Sequence, residues 1–185
     1  LAFTVWTAIK WYNLPDNREN DRWLVLCLFA TGMSVGVHLL SLLSILAVAI
    51  LYYFKRYEKH TLAGYGVALL AGLLFIWFIM KVVIVGLPSL WSKMELLTVN
   101  TFGLPVHSGL IPTVMIVGAM SYYALRYTHR KNYQLLQTIF ISIVMVIISS
   151  TTVGVLVIRA NADTPVNMNV PSDVFRLIPY LNREQ

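Results

Sequence analysis

The stretch WLVLCLFATGMSVGVHLLSLLSILAVAILYYF, residues 23–54, decides the fold. Its 32 residues include no Asp, Glu, Lys or Arg. As one straight helix at about 1.5 Å per residue it would reach roughly 48 Å, well past the ~30 Å hydrocarbon core of a bilayer. Gly32, Gly36 and His38 lie near its middle. Length and these residues together predict two short helices meeting at Gly36–His38, a hairpin whose ends share one side of a membrane.

The rest of the chain reads the same way. Hydrophobic residues make up 58% of the 185 and charged residues 12%; the mean hydropathy is +0.70. A soluble domain carries about twice that charge, and its apolar surface would otherwise aggregate. An all-α, polytopic transmembrane bundle is therefore expected. Its spans fall at about 1–9 (partial), 23–36, 39–54, 62–85, 104–125 and 135–158. Leu1–Ile9 is too short to cross, at roughly 14 Å, and reads as the tail of a helix that starts upstream. Segment 86–112, broken by Gly86, Pro88, Gly103, Pro105, Gly109 and Pro112, is expected to be a loop with a short helix over Leu90–Val99. Residues 159–185 turn polar and read as an extended outer-side linker leading to a soluble domain outside this sequence.

The net charge of +6 is not spread like a nucleic-acid footprint. Lys10, Arg18 and Arg22 form one cluster, Lys55, Arg56 and Lys59 a second, and Arg126, Arg130 and Lys131 a third. The hairpin puts all three on one side, nine basic residues against four opposite: Lys93, Arg159, Arg176 and Arg183. That bias makes the nine-residue side cytoplasmic. A single span over 23–54 would leave six against seven, so the charges favour the hairpin. No nucleic-acid partner is expected. Cys27 alone excludes an intrachain disulfide and a cysteine-built metal site.

Polar groups at membrane depth are expensive and so mark candidate sites. His38, at the hairpin apex, reads either as a histidine hydrogen-bonded to a backbone carbonyl freed by the turn or as a cavity-lining residue. Lys81, about 19 residues into its helix and roughly 28 Å up, either snorkels or meets a lipid-linked phosphate at the outer headgroup level. Arg159 ends the last span at a similar level, as a helix-end anchor or a second phosphate contact. Glu95, Asn100 and His107 gather around the outer loop, where each alone reads as a cap or a solvated side chain. If all serve one site, Lys81, Arg159 and His38 line an outward cavity with the Glu95–His107 loop over it. No nucleophile triad, metal-ligand set or carboxylate pair is visible, so no catalytic residue is assigned.

Three strings resemble a known family: DRWLVLCLFATGMSVGVHLLSLL (21–43), ELLTVNTFGLPVHSG (95–109) and PYLNREQ (179–185). They are similar to a family of multi-pass membrane proteins, mostly from Bacteroidetes, related to human transmembrane protein 260, a protein O-mannosyltransferase. The resemblance covers essentially the whole chain and places it as an internal piece of such a protein. It implies a GT-C type glycosyltransferase of the bacterial inner membrane, with the C-terminal tail periplasmic. The sugar would come from a polyprenyl-phosphate donor and pass to a Ser or Thr of an exported protein, with no further cofactor. The family's catalytic acid sits on the first outer loop, upstream of this sequence, and is carried over to no residue here. A transporter or flippase, or a non-catalytic membrane scaffold, are the competing readings.

Overall fold

A computed structural model describes residues 1–162, 169–182 and 184. Among them all regular structure is helical. Nine α-helices follow in order: α1 (Ala2–Asn13), α2 (Asp21–Val35), α3 (Ser44–Arg56), α4 (Leu62–Phe78), α5 (Leu87–Leu96), α6 (Leu110–Arg130), α7 (Gln134–Ser150), α8 (Gly154–Ala160) and α9 (Val174–Asn182). Three helical runs are long and apolar enough to cross a membrane: Leu39–Arg56, Leu62–Thr101 and Gln134–Ala160. The chain is an integral membrane protein.

The chain forms two compact units. The first holds Leu1–Ile79 and Gln134–Ser150, the second Met80–Tyr133 and Thr151–Gln185. In the first unit the long apolar stretch does break. α2 stops at Val35, a turn follows through His38, and a 3-10 turn over Leu39–Leu43 leads into α3. The C-terminus of α1, the N-terminus of α2, the C-terminus of α3 and the start of α7 come together at one end, joined by Arg56–Asp21 and Arg18–Gln137 contacts.

Within this unit α1 and α7 pack on α2, and α4 packs on α3. Ala8, Trp11, Leu24, Cys27 and Val48 form its apolar core, with Trp11 and Cys27 wholly buried. The α2–α7 contact relies on small residues: Gly32 lies against the Ser149 hydroxyl. This is how helices approach closely where lipid offers no hydrophobic drive. Three hydroxyls on α2 and α7 bond back into their own helices. Thr31 donates to Cys27 O at 2.9 Å, Ser142 to Thr138 O at 2.7 Å and Ser150 to Val146 O at 2.7 Å. No water is needed to satisfy them.

The structure departs from expectation over residues 86–101. Gly86 and Pro88 do not interrupt the chain; it stays helical from Leu62 to Thr101, passing through π turns at Ile79–Gly86 and Leu97–Thr101. Pro88 sits in the first turn of α5, directly after the π turn at Ile79–Gly86, where the helical hydrogen-bond register changes. The expected short helix over Leu90–Val99 is therefore part of a 40-residue run. At about 1.5 Å per residue that is roughly 60 Å of helix, more than one crossing needs. α6 has 21 residues but is not among the three apolar runs. Pro112, Tyr122, Tyr123, Arg126 and Tyr127 dilute its apolar character.

The polar tail is not wholly extended, since it carries α9. Asp163, Pro165, Asn167, Arg183 and Gln185, read as part of that tail, lie outside the described residues. The α7–α8 run, expected as one helix over 135–158, passes through a 3-10 turn at Thr151–Val153, where the chain leaves the first unit for the second.

Candidate functional site

The six residues singled out from the sequence divide between the units. His38 belongs to the first; Lys81, Glu95, Asn100, His107 and Arg159 belong to the second. His38 is exposed, and its Nδ1 accepts the Leu40 N–H at 3.2 Å. It caps the 3-10 turn after α2, so this ring nitrogen meets a backbone N–H and not the freed carbonyl expected from the sequence. Lys81, in the first π turn, and Arg159, near the end of α8, are both exposed. Asn100 is exposed in the second π turn.

Glu95 and His107 do come together, through the backbone. Glu95 is 3% exposed, on the last turn of α5. One of its carboxylate oxygens accepts the His107 N–H, and the other accepts the Gly109 N–H at 2.9 Å. Gly109 precedes the first residue of α6, so the carboxylate also meets the positive end of that helix. His107 has φ +74, a left-handed conformation, and the bond to Glu95 helps hold it there. A Cβ on Gly109 would collide with Glu95 itself. Sequence reasoning placed these residues near one another but read each alone; the shared clamp depends on a loop closure across 14 residues.

Next to this clamp two buried polar atoms have no protein partner, Trp91 Nε1 and Ser108 Oγ. The Trp91 and His107 rings stand 6.4 Å apart. Unmade hydrogen bonds of this kind call for an explanation, and a hydroxyl-bearing ligand or an ordered water supplies one. Among the described residues, no three His, Cys, Asp or Glu side chains are grouped to hold a metal ion.

A second polar constellation, at the loop end of the first unit, was missed altogether. Asp21 opens α2 and receives the Arg56 guanidinium at 2.8 and 3.0 Å, the Trp11 Nε1 at 3.2 Å and the Thr138 hydroxyl at 3.5 Å. Arg56 also pairs with Asp16 at 2.5 Å. Beside it, Lys55 donates to the Trp11 and Leu14 carbonyls and lies 4.3 Å over the Trp11 ring. Trp11 stacks on Tyr52 at 5.8 Å. Asp21 has its acceptor positions occupied, so it acts as an anchor for the α1–α2 loop and not as a free base. The sequence carries one local sign of it, an acidic residue opening an apolar helix. Its partner stands 35 residues away.

All of this constellation except Thr138 lies in residues 1–61, and those residues match the family described as protein O-mannosyl-transferase TMEM260 N-terminal domain. Residues 1–61 are related to TMEM260. The TMEM260-like stretch takes in α1, α2, the hairpin turn and α3, and ends at Thr61, whose hydroxyl caps α4 by accepting the Gly64 N–H at 3.1 Å. It thus spans the hairpin on which the fold reading turned. Neither a curated protein nor a solved structure matches the chain.

Proposed function

We propose that this chain is membrane-embedded machinery of a GT-C type glycosyltransferase. It would move a sugar from a polyprenyl-phosphate donor to a Ser or Thr of an exported protein, at the face opposite the basic loops. The observation that carries this is the TMEM260-like match over residues 1–61, in a chain with three membrane-crossing helical runs. In this reading the basic loops are cytoplasmic, the tail after Arg159 is periplasmic, and the catalytic acid is not among these residues.

Roles follow from chemistry. A donor diphosphate or phosphate held at headgroup level needs fixed positive charge. Lys81 and Arg159 are exposed, and neither forms an ion pair among the described residues. Either suits a phosphate. The Glu95 clamp shapes the outer loop, and the unmatched Trp91 Nε1 and Ser108 Oγ would meet hydroxyls of sugar or acceptor. His38 is available at the hairpin apex through the ring edge that does not cap Leu40.

A transporter or flippase is the second reading, and the π turns at Ile79–Gly86 favour it, since transporters bind at interrupted helices. Against it, the ion pairs among the described residues sit at the loop end of the first unit and within the tail, at Arg56 and Asp173–Arg176, with none inside an apolar run. The decisive experiment incubates the full-length protein with a panel of polyprenyl-phosphate sugars and a Ser/Thr-rich exported peptide. Sugar transfer, weakened about ten- to a hundredfold by Lys81→Met or Arg159→Met, is expected, because a charge-assisted contact contributes roughly 1.5–3 kcal/mol. Donor crossing of the bilayer without transfer to peptide would instead establish the flippase.

A further inference from the structure

In the first unit α2 pairs with α7 and α3 pairs with α4, and an apolar groove of about 630 Å³ runs between the two pairs. Leu28 and Ile139 form one wall; Val48, Ala49, Ala68 and Phe75 form the other. Alanines where larger residues would fit keep it open. From the α4 N-cap Thr61 it extends 14 residues on to Phe75, or roughly 21 Å of helix. One leaflet contributes roughly 15 Å of the ~30 Å hydrocarbon core, so the groove is about as deep as one leaflet plus its headgroup level. Its mouth lies at Tyr57, Lys59 and Thr61, at the end where the basic loops gather.

The mouth is chemically different from the depths. Across Tyr52, Leu135 and Thr138 the groove adjoins a polar hollow of about 340 Å³ containing Asp16, Arg18, Asp21 and Arg56. Both aspartates in that hollow are already paired with Arg56. Lys59 at the groove mouth forms no ion pair among the described residues, and Arg18 in the hollow bonds the neutral Gln137, at 2.8 Å. Over residues 10–22 and 55–60 six basic residues face four acidic ones, Asp16, Glu19, Asp21 and Glu58, so this end stays positive. An apolar slot one leaflet deep with a cationic mouth is complementary in shape and charge to an anionic phospholipid.

We propose that this groove is a binding site for an anionic diacyl phospholipid from the leaflet beside the basic loops. One acyl chain lies along α4 between Ala49, Ala68 and Phe75, and the phosphate rests beside Lys59. The proposal does not depend on the transferase reading. It concerns the face opposite the one proposed for catalysis.

The test uses the full-length protein in vesicles of phosphatidylglycerol doped with a photoreactive phosphatidylglycerol whose diazirine sits on an acyl chain. Crosslinks are mapped by mass spectrometry. Labelling should concentrate on Ala68, Ala71, Phe75 and Ile139. Ala71→Phe, which fills the groove from an exposed position, should reduce it severalfold, whereas Leu73→Phe on the outer side of α4 should not. On the unmutated protein, exchanging the probe and the vesicles for phosphatidylcholine should also cut groove labelling severalfold, as should Lys59→Gln. Equal labelling all round α4, no preference for the anionic lipid, or protection of the groove because another part of the chain fills it would each overturn the proposal.

Discussion

Replacing Glu95 by Ala tests the clamp over the outer loop. The carboxylate is 3% exposed and accepts two backbone N–H groups, those of His107 and Gly109. The two donors differ in what they lose. His107 is exposed and its N–H regains water, whereas Gly109 is buried and its N–H is left without an acceptor. An orphaned buried donor costs about 1–3 kcal/mol, so the loop should open more easily by about 2 kcal/mol. With about 1.4 kcal/mol per tenfold, that is roughly a 30-fold rise in amide exchange over residues 103–113. Glu95→Gln keeps one acceptor but turns an NH2 toward the other backbone donor, so its effect should fall between wild type and Ala. Hydrogen–deuterium exchange by mass spectrometry on the full-length protein in nanodiscs reads the effect, with a peptide from α2 as internal control. Unchanged exchange over 103–113 would refute the clamp. So would a rise of the same size in α2, because it would mean global loosening and no local pin.

Three further outcomes follow from the first unit. Gly32→Ala should destabilise the α2–α7 contact by about 1–3 kcal/mol, the usual range for overpacking, since the new Cβ meets the Ser149 side chain; thermal melting in detergent measures it, and adding Ser149→Gly should recover part of the loss. Arg56→Met should lower stability by about 1–2 kcal/mol, between the values for exposed and buried pairs, because Arg56 and Asp21 are 28% and 13% exposed. Adding Asp21→Asn should then cost less than it does alone, and strict additivity would show that the pair is not coupled. For topology, cysteines introduced at Asn20 and Lys59 should resist an impermeant thiol reagent in intact cells, with Cys27 adding no signal because it is fully buried; labelling from outside would reverse the assignment of sides.

The hairpin was legible in residues 23–54 because the constraint is local: 32 uncharged residues exceed one bilayer crossing, and Gly36–His38 is the weakest point for continued helix. The π-linked run through Gly86 and Pro88 was not legible. Glycine and proline signal a break only when no neighbouring geometry absorbs them, and a π turn followed by a proline in a helix's first turn absorbs both. Of the candidate residues, the sequence marked Glu95 and His107 as polar points on an apolar chain, and the fold joined them through a backbone bond.

What the sequence determined by itself is the solvent. Too few charges for a water-facing surface, apolar runs of spanning length and clustered basic loops make this an integral membrane helical protein, and each of those is a property of neighbouring residues. What only the tertiary structure decided is which polar groups remain free for chemistry. Asp21 is spoken for by Arg56, 35 residues on, and by Thr138, 117 residues on. Glu95 is spoken for by two N–H groups 12 and 14 residues on. Trp91 Nε1, Ser108 Oγ, Lys59 and Lys81 are left without such partners among the described residues. Hydrogen bonds and ion pairs reach only a few ångströms, so which groups are neutralised and which stay available depends on distances that loop closure sets, and no window along the chain contains them.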